Sequence, residues 1–176
     1  MNRLRASSSF ACAVLGFLLI VGTATAAKIS GTISATMTIN EDSQLAGDVT
    51  CTVTGAPCIS IGAPNVTLEL NGFTITGQAD PQGACSAGPT TFVVGSVEDG
   101  IELQGQANVA IHGPGIVQQF RGPGILSVNS GSLTVTGVTT ANNCMSGILV
   151  GGGSSHNISD NVSIRNGSRL FACGGI

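Results

Sequence analysis

The sequence predicts an all-β chain wound into a solenoid of stacked parallel turns, and three observations predict it. The first is composition: among 176 residues there are 26 Gly, no Trp and no Tyr, and only 9% are charged. So few aromatics and charges fit neither an aromatic-centred core nor a solvated helical bundle, and a hydrophobic content of 42% is too high for a disordered chain. The second is a period. Gly-Ile or Cys-Ile starts recur at Ile59, Ile101, Ile125 and Ile148, in steps of 42, 24 and 23, each followed by a strand-like series: NVTLELNGFTIT, NVAIHGPGIV, GSLTVTGVTT and HNISDNVSIRN. A repeat near 23 residues that holds three short strands and no helix stacks its turns about 4.8 Å apart and lines the interior with like aliphatics. The third is turn chemistry. With Phe73, Ile116, Val138 and Val162 anchoring the third strand of each turn, the preceding residues are Gly72, Gly115, Gly137 and Asn161, all of which tolerate the positive φ of a sharp bend. A leucine-rich horseshoe would show a Leu framework, and a sandwich would show hairpin alternation without a fixed period.

The segments follow in order. Residues 1–26 have a basic start (Arg3, Arg5), an apolar run from Phe10 to Val21 and a small-residue end, Ala24-Thr25-Ala26. This is the layout of a cleaved secretory signal; the run is too short for a membrane anchor, which needs about 18 apolar residues. Its removal takes Arg3 and Arg5 away and moves the formal charge from −3 to −5, so an acidic exported protein with no electrostatic footprint for nucleic acid and no membrane attachment is expected. Residues 27–57 alternate weakly and read as an N-terminal cap and first turn. Residues 58–176 carry the repeats. The first step exceeds the others by about 20, which marks 77–95, with its two Pro and four Gly, as a loop inserted into one turn. About five or six turns result. Cys173-Gly174-Gly175-Ile176 reads as the opening of another turn, so a solenoid truncated at its C-terminus is expected.

Cysteine usage agrees with an oxidising compartment. Without Cys12 the chain keeps Cys51, Cys58, Cys85, Cys144 and Cys173, and Cys51 with Cys58 in CTVTGAPC could close a short disulfide loop. An odd count leaves one thiol free or partnered outside this chain. There is no Cys-x-x-Cys and the two His are isolated, so neither a metal nor another cofactor is expected.

The stretches CISIGAPNVTLELNGFTITG, DGIELQGQANVAIHGPGIVQQFRGPGILSV and TTANNCMSGILVGGGSSHNISDNVSIRNG resemble the right-handed parallel β-helix proteins of the pectate-lyase-like superfamily. They are most similar to the exported bacterial β-helix-repeat group that shares the domain called carbohydrate-binding and sugar hydrolysis, a group that includes a periplasmic accessory protein of nitrous-oxide reductase. The resemblance covers Cys51 to the end of the chain. It implies a right-handed coil, secreted or periplasmic residence and contact with polysaccharide.

Lyases of this fold place acidic calcium ligands and a basic residue on the outer face of the first strand. Here the outward positions of that strand are Ser60, Glu102, Leu126 and Leu149, and a single carboxylate makes neither a calcium cage nor a two-carboxylate glycosidase pair. Asp99-Gly100 reads as the turn before that strand. On the second strand Glu69 and His112 share one register, with Thr134 following, and such a pair could hold a proton or bind a sugar hydroxyl; with no nucleophile or second acid nearby, a surface acid and histidine pairing across parallel strands is the preferred reading. Arg121, in the turn QFRGPG, could reach a groove anion or remain a solvated arginine. The epimerase branch of the superfamily relies on a Tyr, which is absent. Asn142, Asn143 and Asn166 end successive turns and read as an internal amide ladder, and GGGSS at 151–155 as a turn. Two function classes follow. One is a non-catalytic exported β-helix that binds a surface or polysaccharide. The other is a polysaccharide lyase, hydrolase or epimerase whose site uses Glu102, His112 and Arg121 or lies in turns beyond this chain. The lack of Trp and Tyr removes the residues on which sugar faces commonly pack, a loss that six Phe offset in part.

Overall fold

A computed structural model describes residues 25–79, 85 and 97–167. Among them are thirteen strands and no α-helix: β1 (Ala27–Ile33), β2 (Met37–Ile39), β3 (Ser43–Cys51), β4 (Ile59–Ile61), β5 (Thr67–Glu69), β6 (Thr74–Thr76), β7 (Ile101–Gln104), β8 (Ala110–Gln118), β9 (Ile125–Val128), β10 (Thr134–Ala141), β11 (Ile148–Gly151), β12 (Asn157–Ser159) and β13 (Val162–Ile164). Every strand pair is parallel. The smaller sheet runs β2-β4-β7-β9-β11. The larger runs β1-β3-β5-β8-β10-β12, with β6 between β3 and β8 and β13 beside β10. The chain therefore alternates between two sheets and lays each new row beside the last. Ile59 pairs Ile101 directly, so the 42-residue step is a single row, with the extra length falling in sequence between β6 and β7. Most of 77–95, all of the signal-like segment before Thr25, and Cys173 lie outside the described residues.

The interior is built from columns. Ile59, Ile101, Ile125 and Ile148 form one in the smaller sheet; Leu68, Ile111, Val135 and Ile158 face them from the larger. Nearly all are sealed from solvent, and each such aliphatic side chain contributes about 1.5–3 kcal/mol on burial. The third-strand register differs from the sequence reading by one residue in two rows. Thr74, Ile116, Thr139 and Val162 are the true neighbours, and they face outward; the interior column is Ile75, Val117, Thr140 and Ser163. The cause is a register shift between Thr136 and Val138, where Gly137 takes φ +69°.

Left-handed residues also fall in columns. Gly105, Asn129 and Gly152 close the smaller-sheet strands, Asn65, Asn108, Ser132 and Ser155 precede the larger-sheet strands, and Gln119, Asn142 and Arg165 leave them. In the bend between second and third strands the left-handed residues are Asn71, Gly72, Gly137 and Asp160, whereas Gly115 and Asn161 have ordinary φ and Gly113-Pro114 is cis. Behind these corners runs a side-chain ladder. Asn143 Oδ1 accepts from the Phe120 amide at 3.0 Å while its Nδ2 donates to Val117 O at 3.2 Å, and Asn166 repeats the arrangement one row later on Asn143 N and Thr140 O, both at 3.0 Å. Asn161 does the same for Val138 N (2.9 Å) and Val135 O (2.8 Å). Asn142, by contrast, serves as a left-handed corner rather than a rung.

Two disulfides brace the rows. Cys51–Cys58, with Cα atoms 5.9 Å apart, closes the return from the larger sheet to the smaller, as the short spacing suggested. Cys85–Cys144, 5.3 Å between Cα atoms, ties the inserted segment to the loop between β10 and β11. Nothing in the spacing of five thiols selects that second pair.

Candidate functional site

Two places hold the residues the sequence singled out. The first is the outward face of the larger sheet. Strand alternation points Gln44, Glu69, His112, Thr136 and Ser159 out of the core, and pairing sets them in one column over five consecutive rows. His112 Nδ1 lies 2.9 Å from Glu69 Oε1, with side-chain exposures of 37% and 40%. A carboxylate accepts only, so Nδ1 carries the hydrogen; in the neutral imidazole Nε2 then accepts from an incoming hydroxyl, and in the cation it donates to one. One row back, Asn71 Nδ2 donates to Gln44 Oε1 at 3.2 Å and to Leu45 O at 3.1 Å, which fixes the Gln44 amide. The neighbour of His112 on the next row is Thr136; Thr134 stands on the same face, two residues away beside Ala110. The other half of this face carries Thr76 and Gln118, joined at 3.3 Å, and ends in the exposed apolar side chains Val162 and Ile164.

The second place is the start of the smaller-sheet strand β7. Ser60, Glu102, Leu126 and Leu149 do share a column. Glu102, however, is only 5% exposed and Leu126 is buried, so this column does not face an open groove at β7 and β9. Pleat direction decides which face of a sheet a side chain leaves from; what packs over that face decides whether water reaches it. Asp99, in the turn before β7, is fully buried, three residues before the buried Glu102. Burial pushes the Asp99 carboxyl up to about 9, helped by the Glu102 charge and by their hydrogen bond. Arg121 is not a free cation. Its Nη1 donates to both oxygens of Glu98, at 2.8 and 3.0 Å, and Glu98 Oε1 also accepts from Gly55 N at 3.0 Å. The predicted site residues thus fall into two groups: Glu69 with His112 on one sheet, and Glu102 with Arg121 near the other.

Asp99 was legible only as half of an Asp-Gly turn; no local pattern marks a turn carboxylate as buried. The remaining histidine is structural, since Leu133 N donates to His156 Nδ1 at 3.4 Å and His156 Nε2–H donates to Gly152 O at 3.2 Å, inside the glycine turn. Among the described residues no three His, Cys, Asp or Glu side chains gather as a metal site. A shallow cavity of about 370 Å³ opens at the first row between β1 and β2, where Lys28 and Glu41 are its charged lining residues. No helix among the described residues is long and apolar enough to cross a membrane. No family model, curated protein or solved structure matches the chain.

Proposed function

We propose that the chain is an exported right-handed parallel β-helix of the pectate-lyase-like type that binds polysaccharide along the outward face of its larger sheet without turning it over. The column Gln44, Glu69, His112, Thr136 and Ser159 carries this reading. It offers an amide, a carboxylate, an imidazole and two hydroxyls at the row spacing of a sheet, about 4.8 Å, which is comparable to the length of one sugar unit in an extended glycan. The same geometry argues against turnover. Arg121 is neutralised by Glu98, Glu102 is buried, and Glu69 has an imidazole rather than a second carboxyl as its partner. Export is supported by the signal-like N-terminus and by two disulfides, which persist in oxidising compartments.

A catalytic reading rests on one observation, the Glu69–His112 contact, which orients the imidazole so that its neutral form presents Nε2 as a base. One experiment addresses both. The protein is run through gels containing neutral or acidic polysaccharides, and the same mixtures are assayed for new reducing or unsaturated ends. Retardation without new ends, weakened by Gln44→Ala and Thr136→Ala, is the expected result. New ends that disappear with His112→Ala would replace the binding reading with the enzymatic one, and no retardation by any polymer would remove the binding reading.

A further inference from the structure

Four tripeptides match the acceptor pattern for N-linked oligosaccharide, Asn-x-Ser or Asn-x-Thr; they begin at Asn65, Asn157, Asn161 and Asn166. A chain rich in Asn, Ser and Thr yields such matches by chance, but the fold separates them. An oligosaccharide is bulky and needs an amide nitrogen that is open to solvent and not already spent on a hydrogen bond. Asn166 fails on both counts. Its Nδ2 uses both hydrogens, on Thr140 O at 3.0 Å and on Ser163 Oγ at 2.9 Å, and even a Cβ at Gly147 would stand only 2.6 Å from it. Asn161 is half-buried, with Nδ2 donating to Val135 O at 2.8 Å and Oδ1 accepting from Val138 N at 2.9 Å. A sugar on either would take a rung out of the ladder.

The other two stand clear of it. Asn65 is exposed at the left-handed corner before β5, at φ +61°. Its backbone is held by donation from Asn65 N to Ala107 O at 2.9 Å, and its Oδ1 accepts from Asn108 Nδ2 at 3.1 Å, which leaves its own Nδ2 without a partner among the described residues. Asn157, exposed at the first position of β12, is held through its backbone to Leu133 O at 2.8 Å and makes no side-chain hydrogen bond among the described residues. Each is followed by an outward hydroxyl. Ser159 leaves β12 on the same face as Asn157, and Thr67 shares the outward column of Asn157 through Ala110 and Thr134. We infer that the exported chain accepts N-linked oligosaccharide at Asn65 and Asn157 and at neither rung, an inference that rests on the export proposed above. The donor class is a lipid-pyrophosphate-linked oligosaccharide. Nδ2 bonds to the anomeric carbon of its first sugar as the bond from that carbon to the pyrophosphate breaks; the amide gives up one proton, and the lipid pyrophosphate leaves with the electron pair. At Asn157 the glycan flanks Ser159 and covers that end of the polar column.

The test is expression of the full chain in a eukaryotic secretory cell. Protein recovered from the medium is treated with peptide N-glycosidase in heavy-oxygen water, which turns each glycosylated Asn into an isotopically labelled Asp, and the label is mapped by mass spectrometry. Label at Asn65 and Asn157, with none at Asn161 or Asn166, is the expected result. The gel mobility of the secreted protein should fall by the mass of two glycans, of which Thr67→Ala and Ser159→Ala each remove one. Mapping reads the wild-type chain, so the assignment does not depend on either variant folding. Secreted protein that lacks label at Asn65 or Asn157, or carries it at Asn161 or Asn166, overturns the assignment and leaves export standing. A chain that stays in the cytosol with residues 1–26 attached removes the export reading and the acceptor sites with it.

Discussion

Replacing Asn143 by Ala tests how much of the stack depends on its amide ladder. Asn143 is fully buried, and its side chain spans three rows: it accepts from Phe120 N, donates to Val117 O, and donates to Asn166 Oδ1 at 2.9 Å. At about 1 kcal/mol net per hydrogen bond, deletion removes about 3 kcal/mol. The Phe120 amide then has no acceptor and no route to water, which adds about 1–2 kcal/mol. A total near 4–5 kcal/mol should lower the thermal midpoint by roughly 10 °C or more in a chain of this size. Asn166→Ala is the matched control. It removes the same pattern of bonds from a side chain that is only partly buried, where water can take their place, and should cost about 1–2 kcal/mol. Urea denaturation followed by circular dichroism measures both, since the chain has no Trp or Tyr to report by fluorescence. Equal losses, or a loss below 1 kcal/mol for Asn143→Ala, would refute the ladder as a source of stability.

Other outcomes follow from features already described. Removing Cys85–Cys144, which closes 59 residues, should cost about 4 kcal/mol by chain entropy, against about 2 kcal/mol for Cys51–Cys58, which closes 7; guanidinium midpoints of the two Cys→Ser double variants check the order. Gly124→Ala should destabilise by more than Gly105→Ala. A Cβ at Gly124 would stand 2.8 Å from both Asn143 Nδ2 and Gly147 O, whereas Gly105, at φ +67°, has open space and loses only about 1 kcal/mol to backbone strain. Thermal melts of the two variants decide. His112→Ala should weaken glycan retardation yet leave the unfolding free energy within about 0.5 kcal/mol of wild type, because a side-chain pair this exposed contributes little to stability.

The period carried most of the architecture, for a physical reason: in parallel rows every column repeats the same environment, so like residues recur at the row length. Ile59, Ile101, Ile125 and Ile148 were readable as one column on that ground, and so were Glu69 beside His112 and the rungs Asn143 and Asn166. What the pattern misjudged were positions with two competing explanations. Gly100, Gly124 and Gly147 looked like turn residues but have ordinary φ; they are glycine because backbone carbonyls and neighbouring side chains, Asn143 and Asn166 among them, crowd their α-carbons. Val138 looked like a strand anchor because the bend at Gly137 displaces the count by one. Glu102 looked exposed because alternation reports the direction of a side chain and not what lies over it. The Cys85–Cys144 pair depends on where a long insertion returns to the stack, which a linear sequence does not encode locally.

That disulfide has a mechanical consequence. In a one-dimensional stack each row touches only its neighbours, so rows can unzip singly from an end, each leaving the remainder intact. Cys85 belongs to the segment between β6 and β7, and Cys144 to the loop between β10 and β11. The covalent link therefore skips the rows of β7–β8 and β9–β10, and fraying that begins at β11 meets a tether anchored well inside the stack. The protein should yield to force or protease as one block across those rows, and reduction should convert it into a zipper that opens a row at a time.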